Sequence, residues 1–248
     1  MKNQPLISFL IPSRQRFDDL KSCVECLLSQ IGEENYNTVE FVIKFDEDDS
    51  ESISRYSELP LEKVSFKLLV SNRLGGYKDL FRFYNDMAKI SRGRFMMMWN
   101  DDAKFETNDW FVKFVQQVEQ DGKVAYSYWF RGSPTTVFEQ GSTEPVQKEW
   151  PCFIAHHRLL YSVIGYFSGI GGCDSFLYYV LGPLGLLKKI ESITVDHEPW
   201  FQIDEDKRDA ISQANSEEGQ VIMTNFKEVQ LCQQKIIKHV QQASGQKA

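Results

Sequence analysis

The run Phe95-Met96-Met97-Met98-Trp99 is uninterrupted apolar sequence that ends abruptly at Asn100-Asp101-Asp102. Five apolar residues without alternation do not suit a strand with one wet face. They suit a strand covered on both faces, as parallel strands packed between helices are. That requirement points to a layered α/β fold with a mostly parallel sheet. It also puts a knot of carboxylates at the carboxyl end of a central strand.

The same pattern recurs upstream. Leu6 to Ile11 reads as a buried strand stopped at Pro12, and Phe17, Leu20, Cys23, Val24, Leu27, Leu28 and Ile31 follow at helical spacing. Val39 to Phe45 is a second strand running into Asp46-Glu47-Asp48-Asp49, and Val64 to Val70 a third, followed by a turn with Gly75-Gly76. A helix carries Tyr77, Leu80, Phe81, Tyr84, Met87 and Ala88 and ends near Ser91-Arg92-Gly93, where glycine suits a helix C-terminus. Strands alternating with helices of this length imply right-handed crossovers.

Beyond Val124 the expectations are two strands of mixed burial, Val124 to Phe130 and Trp150 to Ala155, separated by a polar loop from Gly132 to Glu149. Leu159 to Tyr166 reads as a short helix and Ser168 to Gly172 as a flexible turn. Phe176 to Ile190 reads as an apolar helix opened by Asp174, and Ile193 to Val195 as a short strand leading to Asp196-His197. A polar, Gln-rich stretch precedes a terminal helix bearing Phe226, Val229, Leu231, Ile236, Ile237 and Val240. One domain over residues 1–200 is expected, with two halves that meet at about 102 and a polar helical extension over 201–248.

Ligands of open α/β sheets bind beyond the carboxyl ends of the strands. Ser13-Arg14, Asp46 and Asn100-Asp101-Asp102 each follow a predicted strand, so they should share one edge. Adjacent carboxylates there repel each other, and a divalent cation would relieve the repulsion. Oxygen-only donors suit Mg²⁺ or Mn²⁺ bound together with substrate phosphates. Asp174 can act as a general base at the pocket edge, although Asp is equally a preferred helix N-cap. His197 can ligate the same cation or sit as a hydrogen-bonded structural histidine. His156-His157 has no partner at useful spacing and reads as structural. Cys23 and Cys26 lie within a helix with no second pair to complete a zinc site, so they read as packing.

Composition removes whole classes of function. Twenty-eight basic residues against 35 acidic ones give a net charge of -7, so no basic excess draws nucleic acid. The longest greasy stretch, Phe176 to Leu187, contains Gly182, Pro183 and Gly185 and is too short to span a bilayer. The N-terminal residues lack the apolar core of a signal peptide. An odd count of five cysteines fits a reducing, cytoplasmic setting. No GxxxxGK[ST], GxSxG or HExxH motif is present.

Taken together, residues 6 to 200 resemble the family-two glycosyltransferases of GT-A fold. Leu10 to Arg16 looks like the family's opening strand and Pro-Thr-Tyr-Asn-Arg turn, and Val42 to Asp46 like its strand ending in a nucleotide-binding aspartate. Gly76 to Asn85 and Ala88 to Asp102 resemble its glycine-to-asparagine helix and Asp-X-Asp strand. Phe153 to Phe167 with Cys173-Asp174 resemble the acceptor segment ending in Glu-Asp. Asn100 stands where the family has the first aspartate, and Cys173 where it has glutamate.

The resemblance implies that Pro12, Ser13, Arg14 and Asp46 line the base and ribose site, with Lys78 reaching the base or diphosphate. Asn100 and Asp101 would face the ribose, and Asp102, helped by His197, would bind Mn²⁺ or Mg²⁺. Asp174 would deprotonate the acceptor. The implied reaction is metal-dependent, inverting transfer from a UDP- or GDP-linked sugar to a sugar or other hydroxyl acceptor. A nucleotidyltransferase is one rival, but no glycine- and lysine-rich triphosphate loop is visible. The other is a non-catalytic nucleotide- or sugar-binding module. The C-terminal helix either packs on the domain or offers a homodimer contact.

Overall fold

The computed structural model describes residues 4–73, 79–132, 135–138, 145–148, 151–169, 173–196 and 226–245. The first strand, β1 (Ile7–Ser13), feeds α1 (Phe17–Ile31), which buries Phe17, Leu20, Cys23, Val24, Leu27, Leu28 and Ile31. That is the stripe its spacing predicts. A 3-10 turn over Glu33–Thr38 leads to β2 (Val39–Asp46), buried along its whole length. Short α2 (Ser50–Arg55) precedes β3 (Ser65–Ser71), and α3 (Leu80–Ile90) precedes β4 (Phe95–Met98).

The second half adds β5 (Lys104–Phe105), α4 (Trp110–Asp121), β6 (Ser127–Arg131), β7 (Thr135–Phe138), β8 (Pro145–Lys148) and β9 (Cys152–His157). It continues with α5 (Arg158–Ile164), α6 (Cys173–Leu181), β10 (Leu187–Asp196) and α7 (Phe226–Gly245).

Eight strands form one sheet in the order β3-β2-β1-β4-β9-β6-β10-β5. The first four are mutually parallel, β9 runs antiparallel to both β4 and β6, and β10 is again parallel to β6. This is the mostly parallel, helix-flanked α/β sheet the sequence implied. The order 3-2-1-4 reverses direction between β1 and β4, which creates a crevice at their carboxyl ends.

Both faces of the sheet are covered. Phe9, Phe41, Trp99, Phe105, Trp110 and Phe114 fill the side under α1 and α4. Leu10, Val42, Met96, Met98 and Ile154 pack on the other side with α3, α5 and α6. Val229, Cys232 and Ile236 of α7 join that second cluster, so the terminal helix packs onto the domain.

Three local expectations need correction, and one helix was not foreseen. The helix predicted over Phe176 to Ile190 ends at Leu181, and β10 begins at Leu187, because the apolar run is broken by Gly182, Pro183 and a left-handed Gly185. The predicted loop from Gly132 to Glu149 contains the antiparallel pair β7–β8, Thr135 opposite Lys148. Helix α4, with Trp110, Phe111, Phe114 and Val118 buried at spacings of one to four, was not anticipated. Helix α3 ends at Ile90 with Ser91 as its cap, so Gly93 is not a C-cap. Its missing side chain matters for another reason: a Cβ there would lie 2.5 Å from the Ser8 amide nitrogen.

Candidate active site

The turn after β1 carries two arginines into the crevice. Gln15 between them adopts φ +53°, a left-handed conformation uncommon for a residue with a side chain. Asp49, 2% exposed, holds it there: one carboxylate oxygen accepts from the Gln15 amide at 2.7 Å, and the other caps α2 through the Ser52 amide at 3.3 Å. The turn after β2 thus fixes the turn after β1, and with it the backbone that carries Arg14 and Arg16.

Arg14 donates to Asp46 at 2.9 Å and also pairs with exposed Asp48. Asp46 is 4% exposed and receives a second cation from Lys44, whose ammonium sits 3.5 Å over the Phe83 ring. Lys44 and Asp46 are two residues apart in one strand, so they share a face. Sequence reading missed Lys44, and that i,i+2 spacing was the signal for it.

Ser13 reaches across the crevice and donates to Asp101 at 2.7 Å. Arg16 donates to Asp101 at 3.3 Å and pairs with Asp102 at 2.9 Å, while its Nε holds Asp19 at 3.0 Å. Burial pushes the Asp101 carboxyl up to about 6; Arg16 and Ser13 pull it down, and Asp102 adds to the rise. Burial works against the charge of Arg16, but Asp101 and Asp102 outweigh it, so the guanidinium is held more firmly protonated. Arg16 was quoted in the sequence motif but given no role there.

Beneath the aspartates, the Trp99 indole donates to Cys23 Sγ at 3.2 Å, and Cys23 in turn reaches the Asn100 carbonyl at 3.6 Å. Burial raises the Cys23 thiol to about 12, which makes it an inert packing group. Cys23, Cys26, Cys173 and Cys232 are all free. Pro12 sits opposite Lys44 in the β1–β2 register, next to the site on the strand.

Asp174 lies in the first turn of α6 and accepts from the Ser175 amide at 2.8 Å. Burial pushes its carboxyl above the usual range. Upstream of it in sequence, Phe167 and Ser168 are tied to the end of β4 through α3. Tyr84 donates to the Trp99 carbonyl at 3.3 Å, and its ring stacks on Phe167 at 5.9 Å. The next residue, Asn85, accepts from the Phe167 and Ser168 amides at 2.6 and 3.1 Å and donates to the Ser168 carbonyl at 2.7 Å. Successive residues of α3 thus hold the end of β4 and the segment that leads to Asp174.

The structure therefore brings together Ser13, Arg14, Asp46, Asp101 and Asp102 at one strand-end crevice. Lys78 and His197 lie outside the described residues. Among the described residues, no group of three or more His, Cys, Asp or Glu side chains is arranged to hold a metal ion. The donors at the crevice are one or two hard carboxylates. That set fits Mg²⁺ or Mn²⁺ of the kind completed by substrate phosphates and water.

No family model matches the chain, and no curated protein matches its sequence. Solved structures do match. The mannosyltransferase PcManGT from Pyrobaculum calidifontis, in complex with GDP-Man and Mn²⁺, superposes with a TM-score of 0.57 at 12% identity, over 79% of this chain and 57% of that one. The fold is GT-A-like. TarS 1–349 from S. aureus, in complex with UDP-GlcNAc, gives 0.54 at 14% identity, over 78% of this chain and 59% of TarS 1–349. The chain spans less than three fifths of either neighbour's length. No described helix is long and apolar enough to cross a membrane.

Proposed function

We propose that the chain is a metal-dependent, inverting glycosyltransferase that moves a sugar from a nucleoside-diphosphate donor to an acceptor hydroxyl. The observation that carries this reading is the meeting of Ser13, Arg14, Asp46, Asp101 and Asp102 at the β1–β4 switch point of a GT-A-like sheet. The two neighbours in complex with GDP-Man and UDP-GlcNAc support a UDP- or GDP-linked donor. The Mn²⁺ complex of the mannosyltransferase supports a divalent cation at Asp102.

In this reading Arg14 and Asp46 position the nucleoside, with Pro12 lining its edge and Lys78 assigned to the base or diphosphate. Asn100 and Asp101 face the ribose, the latter pinned by Ser13. Asp102, with His197, holds the cation, which when bound would neutralise charge on the departing diphosphate. Asp174 takes the proton from the incoming hydroxyl; its raised affinity for protons suits a base working nearer neutrality. Attack opposite the diphosphate inverts the anomeric centre. Residues 1–200 would act as the catalytic domain, and the free thiols fit a cytoplasmic setting. The exposed Leu231, Ile237 and Val240 of α7 keep that helix a candidate homodimer contact.

The test is a thermal-shift screen of UDP, GDP and their sugars, each with and without Mn²⁺. A selective, metal-dependent shift identifies the donor by linkage. Asp102→Ala should abolish the metal-dependent part, whereas Asp174→Asn should keep donor binding and lose transfer. Retained metal dependence in Asp102→Ala would overturn the metal assignment, and unchanged transfer in Asp174→Asn the catalytic one.

A further inference from the structure

Arg16 stands against the carboxylate proposed to hold the cation. Its Nη1 lies 2.9 Å from Asp102 Oδ2 and 3.3 Å from Asp101 Oδ1, and its Nε lies 3.0 Å from Asp19. One guanidinium thus serves the two adjacent strand-end carboxylates, and the Asp102 oxygen it holds belongs to the residue proposed as the metal ligand. The arginine side chain is 42% exposed, so it has room to leave, whereas Asp101 under it is 6% exposed and does not. The turn that carries it is held from the far side by Asp49, which leaves the side chain as the movable part.

We propose that Arg16 is a resident counter-ion that keeps Asp102 neutralised and closed to free divalent cations. It yields that carboxylate only when the cation arrives with a diphosphate. This rests on the reading of Asp102 as the metal ligand. A fixed positive charge a few ångströms from the cation position repels a doubly charged ion, and the repulsion is lost if the guanidinium moves away. The planar fork that now grips two carboxylates is equally suited to phosphate oxygens, so the diphosphate gives Arg16 somewhere to go. The cation and the nucleotide would then bind cooperatively.

The experiment titrates Mn²⁺ alone into the full chain and reads the free aquo-ion by electron paramagnetic resonance, then repeats the titration with saturating UDP or GDP. Arg16→Gln should bind Mn²⁺ alone at least about tenfold tighter than the unmodified chain, because a unit charge near the site is removed. It should also lose most of the gain that the nucleotide gives the unmodified chain. Arg16→Lys keeps the charge and should stay near the unmodified chain. Lys63→Gln removes an exposed charge that serves Glu33 instead, and should leave Mn²⁺ affinity within about twofold. Circular dichroism melts confirm that each variant is folded.

If Arg16→Gln binds Mn²⁺ alone no better than the unmodified chain while Asp102→Asn still loses metal, the counter-ion proposal fails by itself. Equal tightening in Lys63→Gln also overturns it, since net charge rather than Arg16 would then be the cause. If Asp102→Asn leaves binding unchanged, the metal reading falls and this proposal falls with it.

Discussion

The stability of this chain should carry a measurable acid dependence that originates at His156. The ring is fully buried, with Ser127 Oγ 3.0 Å from Nδ1 and the Phe167 ring edge-on at 5.5 Å. Among the described residues, no hydrogen-bond partner meets its Nε2. Burial lowers its pKa to about 3, and His157 and Arg158 push the same way. Unfolded, it would titrate near its ordinary 6.5. The unfolded state therefore takes up a proton first. Stability contributed by neutral His156 is full above about pH 6.5 and is lost as pH falls toward 3. Each unit of difference is worth about 1.4 kcal/mol, so moving from pH 7.5 to 5 costs roughly 2 kcal/mol at this residue alone. Asp101 and Asp174 act in the opposite direction, because their raised pKa values favour the folded state as they take up protons. The clean measurement is thus a comparison. Urea unfolding of the chain and of His156→Gln at pH 7.5, 6 and 5 should show the gap between them narrowing by roughly 2 kcal/mol toward acid. Parallel curves would refute the reasoning, because they would mean that His156 is protonated in the folded state.

Three further outcomes follow from contacts in the site. Asp49→Ala should lose about 1–2 kcal/mol by urea unfolding, since it uncaps α2 and frees the strained Gln15 turn; weaker nucleotide binding should accompany the loss. Asn85→Ala should cost about 1–3 kcal/mol and speed hydrogen exchange at the Phe167 and Ser168 amides, which lose their acceptor. Unchanged exchange there would mean that α3 does not hold the segment before Asp174. Iodoacetamide at pH 8 should alkylate Cys26 and spare Cys23, as read by peptide mass spectrometry, because burial holds the Cys23 thiol near 12.

The parallel half of the sheet was legible because its strands are buried on both faces, and continuous apolar runs bounded by turn residues have few other readings. The second half was harder for a physical reason. Leu177 to Leu187 is apolar throughout, so its hydrophobicity hides the change from α6 to β10; only Gly182, Pro183 and Gly185 mark it. The β7–β8 strands are four residues each, too short to impose a period on a polar stretch. Within the site, the acids could be found because each follows a strand end. Their pairing with arginines could not, because Arg14 and Asp46 lie 32 positions apart and Arg16 and Asp101 85, and only the fold places them together. Lys44 is the exception, since an i,i+2 pair in a strand is local.

These pairings bear on how an acidic protein would accommodate the anionic donor proposed for it. A net charge of -7 and three aspartates at one edge would repel a diphosphate if those charges stood alone. They do not. Asp46 is matched by Lys44 and Arg14, and Asp101 and Asp102 share Arg16. Two of these acids are nearly buried, where attraction to a partner is stronger than in water and less screened by salt. The Arg14–Asp48 pair is exposed at Asp48 and should weaken first as ionic strength rises. The edge thus holds its carboxylates ready while presenting guanidinium groups outward, and a ligand has only to exchange partners within a set of charges already arranged. In the proposed function, the local field that a nucleotide would meet depends on these paired charges rather than on the total charge of the chain.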